Sequence, residues 1–108
     1  ALRDLISSQE KQEITVSFIQ EVVANFYNIT SDDIKSKKRT QNITYPRQIA
    51  MYLCRKLIDI SLPKIGDSFG GRDHSTVIHA CDKIAYDLEK DNNMNKIIID
   101  LEKKIKGE

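Results

Sequence analysis

The chain has 108 residues, 40% of them hydrophobic and 31% charged, with four glycines, two prolines and a mean hydropathy of −0.45. This composition fits one folded domain around a single core and excludes a low-complexity or disordered chain. No apolar run approaches the ~20 residues that span a bilayer, and the amino end lacks the apolar block of a signal peptide, so a soluble intracellular protein is expected. The formal net charge of +1 conceals an asymmetry. Between Ile34 and Ile58 lie seven basic residues, Lys35, Lys37, Lys38, Arg39, Arg47, Arg55 and Lys56, and no acidic one, which leaves the remainder at −6. A basic block on an acidic remainder predicts a surface for a polyanion. Cys54 and Cys81 fall on apolar faces without CxxC spacing and read as small buried hydrophobes in a reducing compartment.

The periodicity is helical almost throughout. Leu2, Leu5 and Ile6 open a first amphipathic segment. The start "ALRDLISSQEK", already in helical register and without an initiator methionine, is expected to come from a longer polypeptide. Val16, Ile19, Val22, Val23 and Phe26 mark a second helix, with Thr15 or Ser17 as its cap. "NITSDDIKS" predicts a short helix capped by Thr30 or Ser31, with Asp32 and Asp33 at the positive end of its dipole. A basic loop follows. Pro46 is expected in the first turn of the next helix, which should bury Ile49, Ala50, Leu53, Cys54, Leu57 and Ile58 and turn Arg47, Gln48, Arg55 and Lys56 outward.

Ser61 should cap a short helix over residues 61–69 with Pro63 in its first turn, ended by Gly70 and Gly71 where left-handed backbone is needed. Residues 70–72 form a turn. A longer helix over 73–89 then carries Asp73 as N-cap and Val77, Ile78, Cys81, Ile84, Ala85 and Leu88 as an apolar stripe. "DNNMN" breaks it, and Met94, Ile97, Ile98, Leu101 and Ile105 build the last helix. The expected fold is an all-α helical bundle of five substantial helices and one or two short ones, containing a helix-turn-helix with a preceding basic loop.

The stretch "GGRDHSTVIHA" concentrates the chemistry. A hydrolytic triad from Asp73, His74 and Ser75 is excluded, because consecutive helix residues diverge by about 100° around the axis. His74 and His79 are spaced i, i+5, whereas the helical zinc motif needs i, i+4 to place both ligands on one face. The glycines lack the strand before them and the lysine of a nucleotide-binding loop, so ATP binding is not expected. A helix-turn-helix accounts for every part: the glycines make the turn, and Asp73, His74, Ser75 and Thr76 project from the reading helix toward base edges.

These residues carry a resemblance. "GGRDHSTVIHACDKI" resembles the signature of the DNA-binding domains of bacterial replication initiators of the DnaA family. "SKKRTQNITYPRQIAMYLCRKL" is similar to that family's basic loop and following helix, and "SLPKIGDSFGGRDH" continues the likeness, which covers roughly residues 12–105. The resemblance implies a domain over residues 15–108 that binds DnaA boxes in double-stranded origin DNA, as a monomer per box. Residues 1–14 resemble the linker helix from an ATPase module, so ATP would belong to that module and no cofactor or metal is expected here. Base contacts are implied for Arg39 in the minor groove and for Asp73, His74, Ser75 and Thr76 in the major groove. Backbone contacts are implied for Lys37, Lys38, Arg47, Gln48, Arg55, Leu62, Pro63 and Lys83. Arg72 belongs to the signature without an assigned contact.

Two positions depart from the pattern. Ser75 stands where the family usually has threonine, keeping the hydroxyl but losing the methyl that packs on a thymine methyl. Gln41 stands where some relatives have a basic residue. The resemblance further implies a cytoplasmic, nucleoid-associated protein with regulatory proteins as additional partners. A different reading of the same charge pattern is a helical interaction module whose basic face docks an acidic protein.

Overall fold

The computed structural model describes residues 14–107, and these form six α-helices and no strand. They are α1 (Val16–Phe26), α2 (Ser31–Lys35), α3 (Gln41–Leu57), α4 (Leu62–Ser68), α5 (His74–Lys90) and α6 (Asn92–Lys106). The linker helix expected over 1–14 lies, except for Ile14, outside the described residues.

The helices begin where short polar side chains can bind free backbone N–H groups. Thr15 caps α1, its Oγ1 accepting from the Phe18 N–H at 3.1 Å. At α2 a reciprocal pair forms: Thr30 Oγ1 accepts from Asp33 N at 3.0 Å, and Asp33 Oδ2 accepts from Thr30 N at 3.3 Å. Ser61 caps α4 through Lys64 N at 3.3 Å, with proline in the first turn as expected. Asp91 separates α5 from α6 and caps the latter through Asn93 N at 2.9 Å.

Three expectations are corrected. The third helix begins at Gln41, so Pro46 lies inside it, where the residue has no N–H for the Asn42 carbonyl one turn earlier. Pro46 is buried, and packing on that side holds the helix through the lost bond. The second correction concerns α5. Asp73 occupies its N-cap position, but its carboxylate makes no capping bond; the Asp73 carbonyl instead accepts from Thr76 N at 3.0 Å and Val77 N at 3.4 Å. Third, the buried stripe of α5 is Val77, Ala80, Cys81 and Ile84, while Ala85 is exposed and Ile78 and Leu88 are half-buried.

Helix α3 is the central element and packs against α1, α2, α4 and α5, with α6 closing over α1 and α5. The core collects Ile19 and Val23 of α1, Ile49, Leu53 and Cys54 of α3, Ile65 of α4, Val77 and Ile84 of α5, and Leu101 of α6, with Phe69 fully buried beside them. Gln20 is buried as well, and its Nε2 donates to the Ser68 carbonyl at 2.9 Å, tying α1 to the end of α4. Both cysteines are buried, and burial pushes the Cys54 thiol up to about 12, which keeps it neutral and unreactive.

Candidate nucleic-acid interface

The turn between α4 and α5 depends on two close backbone approaches. A Cβ on Gly66 would stand 2.1 Å from the Arg72 carbonyl oxygen, and the Arg72 N–H donates to the Gly66 carbonyl at 2.9 Å. The chain leaving the turn therefore lies directly on α4 at a point that admits no side chain. Gly70 has φ +81°, and a Cβ there would stand 2.4 Å from the Lys35 carbonyl, so the turn also abuts the end of α2. Helix α5 emerges with Asp73, His74 and Thr76 exposed and Ser75 half-buried. The Asp73 carboxylate lies 3.5 Å from Ser75 Oγ and 3.7 Å from His74 Nδ1, which groups the three polar side chains at the helix start.

The basic loop, residues 36–40, is organised by arginines from other elements. Arg47 was expected to face outward, but only 4% of it is exposed. Its Nε donates to the Ile34 carbonyl at 2.7 Å, and its Nη2 donates to the carbonyls of Ser36 at 3.0 Å and Asp33 at 3.3 Å. Arg47 stands three and seven residues before the buried Ala50 and Cys54, so it shares their face of α3 and points into the bundle and not to solvent. Gln48 is half-buried, and its Oε1 is enclosed without a hydrogen-bond partner in the described structure, so it too departs from the outward face. Arg72 completes the arrangement, Nη2 donating to Ser36 O at 2.9 Å and Nη1 to Phe69 O.

The basic block is less uniform than its sequence. Lys35 lies 3.9 Å from Asp32, Lys38 3.0 Å from Asp33, and Lys56 2.7 Å from Glu102 of α6. Lys37, Arg39 and Arg55 are exposed and have no carboxylate partner among the described residues. Lys37 and Arg39 border a cleft of about 520 Å³ that is also lined by Arg72, Thr76 and His79 and by Arg47 and Gln48. Burial, and then the charge of Arg72, pull the Arg47 guanidinium below its ordinary range; burial and then Arg39 do the same to Arg72. Arg72 thus meets like charge from both Arg47 and Arg39 at one opening, which favours negative charge there.

Other expected residues lie apart from this cleft. Arg55 borders another, smaller cleft with Cys81 and Asp82. Leu62 and Pro63 mark the start of α4. Lys83 Nζ donates to Asp87 Oδ2 at 3.2 Å and lies 5.5 Å from the centre of the Tyr45 ring. Tyr45 also donates to Asp87, at 2.9 Å, and burial followed by that carboxylate raises its phenol above the usual range. Among the described residues no three His, Cys, Asp or Glu side chains gather as a metal site.

Sequence reasoning missed two contributors to this face. Gly66 gave a signal, a glycine inside a short helical pattern, which often marks close backbone approach. The linkage of Arg72 and Arg47 to the Ser36 carbonyl gave none, because it joins residues 36 and 11 positions apart.

Two comparisons bear on the family and the fold. A family model described as the bacterial dnaA protein helix-turn-helix matches residues 16–84, from the start of α1 into α5. The crystal structure of a DNA replication initiation factor is similar over 93% of this chain, with 36% sequence identity and a TM-score of 0.77; the chain spans 30% of that protein's length. The chain belongs to the bacterial DnaA family, as its DNA-binding helix-turn-helix domain.

Proposed function

We propose that this domain recognises short, asymmetric DnaA boxes in a chromosomal origin and so directs the initiation of replication, one domain per box. Residues 73–76 enter the major groove: Asp73 accepts from a base amine, His74 and Ser75 hydrogen-bond base edges, and Thr76 reaches the groove edge. Arg39 enters the adjacent minor groove. Lys37, Lys38, Arg55, Lys83 and the start of α4 at Leu62 and Pro63 meet the sugar-phosphate backbone, supplying affinity while the helix supplies sequence preference. Arg47 and Gln48 act from beneath the loop. Control of this binding by an ATPase module that takes ATP, outside residues 1–108, belongs to the same proposal.

The observation that carries this reading is that Arg39 and Lys37 of the loop and Thr76 of α5 border one cleft, so loop and helix can straddle one stretch of backbone. The test is selection of a duplex from a random pool, followed by binding measurements on the selected and scrambled duplexes over a salt series. Neutralising four to six phosphates predicts a slope of log affinity against log salt of about −4 to −5. His74→Ala should remove about 1–3 kcal/mol of the preference for the selected duplex. Lys37→Ala should weaken both duplexes about equally and make the slope shallower by about 0.9. A slope near zero, or His74→Ala with intact preference, is incompatible with the proposal.

A further inference from the structure

Arg72 joins the two parts of the interface that are distant in sequence. Its backbone N–H is fixed to Gly66 of α4 at 2.9 Å, while its guanidinium reaches Ser36, the first residue of the basic loop, at 2.9 Å. The loop itself has no core. Residues 37–40 are all exposed, and the path from Ser36 to α3 contains no buried apolar side chain. Its remaining tie to the turn is a long one, Lys37 Nζ donating to the Gly70 carbonyl at 3.4 Å. Where a loop is unordered before binding, fixing each residue costs backbone entropy that appears as lost affinity.

We propose that Arg72 is a positioning residue for DNA reading: it fastens the basic loop to the helix-turn-helix, so that Arg39 and the first turn of α5 meet the two grooves as one preformed unit. The inference rests on the DNA-reading function proposed above. It requires the planar fork of arginine, which serves the Ser36 and Phe69 carbonyls together; a lysine keeps the charge but offers a single point donor. That difference separates positioning from a direct phosphate contact, for which lysine suffices.

The experiment is a double-mutant cycle on the duplex selected by the wild-type domain, with a scrambled duplex as control, using Arg72→Lys, Arg39→Ala and the double variant. Arg72→Lys should weaken the selected duplex about tenfold or more while leaving the scrambled duplex and the salt slope nearly unchanged. Arg39→Ala should then cost much less in the Arg72→Lys background than in wild type, because an unfastened loop no longer delivers it. In the free domain, backbone NMR order parameters of residues 37–40 should fall while those of α5 hold, a pattern that general destabilisation does not produce. If Arg72→Lys fails to fold, Arg72→Gln, which keeps an amide donor for one carbonyl, carries the same cycle. Additive losses, full affinity with lysine, or an equally ordered loop would each overturn the positioning role. A wild-type domain that selects no duplex would overturn the DNA-reading proposal itself.

Discussion

The turn between α4 and α5 is held by its backbone. Gly66 lets the Arg72 carbonyl lie against α4, Gly70 adopts φ +81° beside the Lys35 carbonyl, and the Arg72 N–H closes the corner on Gly66. The basic loop, residues 36–40, is held by side chains of other elements, with Arg47 and Arg72 donating to carbonyls at and just before its start. The contrast teaches where each region is vulnerable. A corner made of backbone tolerates no added atom, whereas a loop hung on arginines tolerates changes in its own exposed side chains but not the loss of its supports.

The largest expected effect tests the corner. Gly66→Ala places a methyl 2.1 Å from a backbone oxygen that cannot rotate away, and should destabilise the domain by about 3 kcal/mol or more in urea denaturation. Wild-type stability for that variant would mean that the chain does not cross α4 as closely as described. Next comes the loop support. Arg47→Met keeps apolar packing but strands the Ile34 carbonyl and removes one of the two donors to the Ser36 carbonyl, and should cost about 2–4 kcal/mol by the same measurement. Were Arg47 an outward phosphate ligand, the loss would instead appear in DNA affinity with stability unchanged.

Smaller effects sharpen the comparison at α2, which feeds the loop. Thr30→Ala removes one half of the reciprocal cap and should lower stability by about 1 kcal/mol. Asp33 supplies the other half. The Lys38 ammonium hydrogen-bonded to it, followed by the Thr30 N–H, hold its carboxyl below the usual carboxylate range. A depressed folded value means that its contribution is fully present above about pH 4, the unfolded value, and is lost as pH falls through the folded one. The stability gap between wild type and Asp33→Asn should therefore be constant near neutrality and close in acid, measured by denaturation from about pH 6 to about pH 2. A gap independent of pH would leave the Lys38 contact without energetic weight.

Much of the helical frame was legible because its signals are local. Thr15, Thr30 and Ser61 sit where their hydroxyls meet free N–H groups, and Gly70 and Gly71 fall at positive φ. The start of α3 was not legible from Pro46, since proline at the first turn and proline inside a supported helix look alike until the packing around them is known. Arg47 turned inward because it shares a helix face with Ala50 and Cys54, three and seven residues on. Charge counting overstated the basic face for a related reason: the partners of Lys38 and Lys56 are Asp33 and Glu102, five and forty-six positions away, and only folding brings the second pair to 2.7 Å.

By itself, then, the sequence determined the helices, the glycine turn and the polar residues that start α5, because capping, periodicity and positive φ are properties of a few neighbouring residues. Tertiary structure alone decided which cations remain open to an anion and how the loop is aimed. Those outcomes depend on carbonyls and carboxylates presented from elsewhere in the chain, and at Ser36 two arginines from separate elements converge on one oxygen, at 2.9 and 3.0 Å.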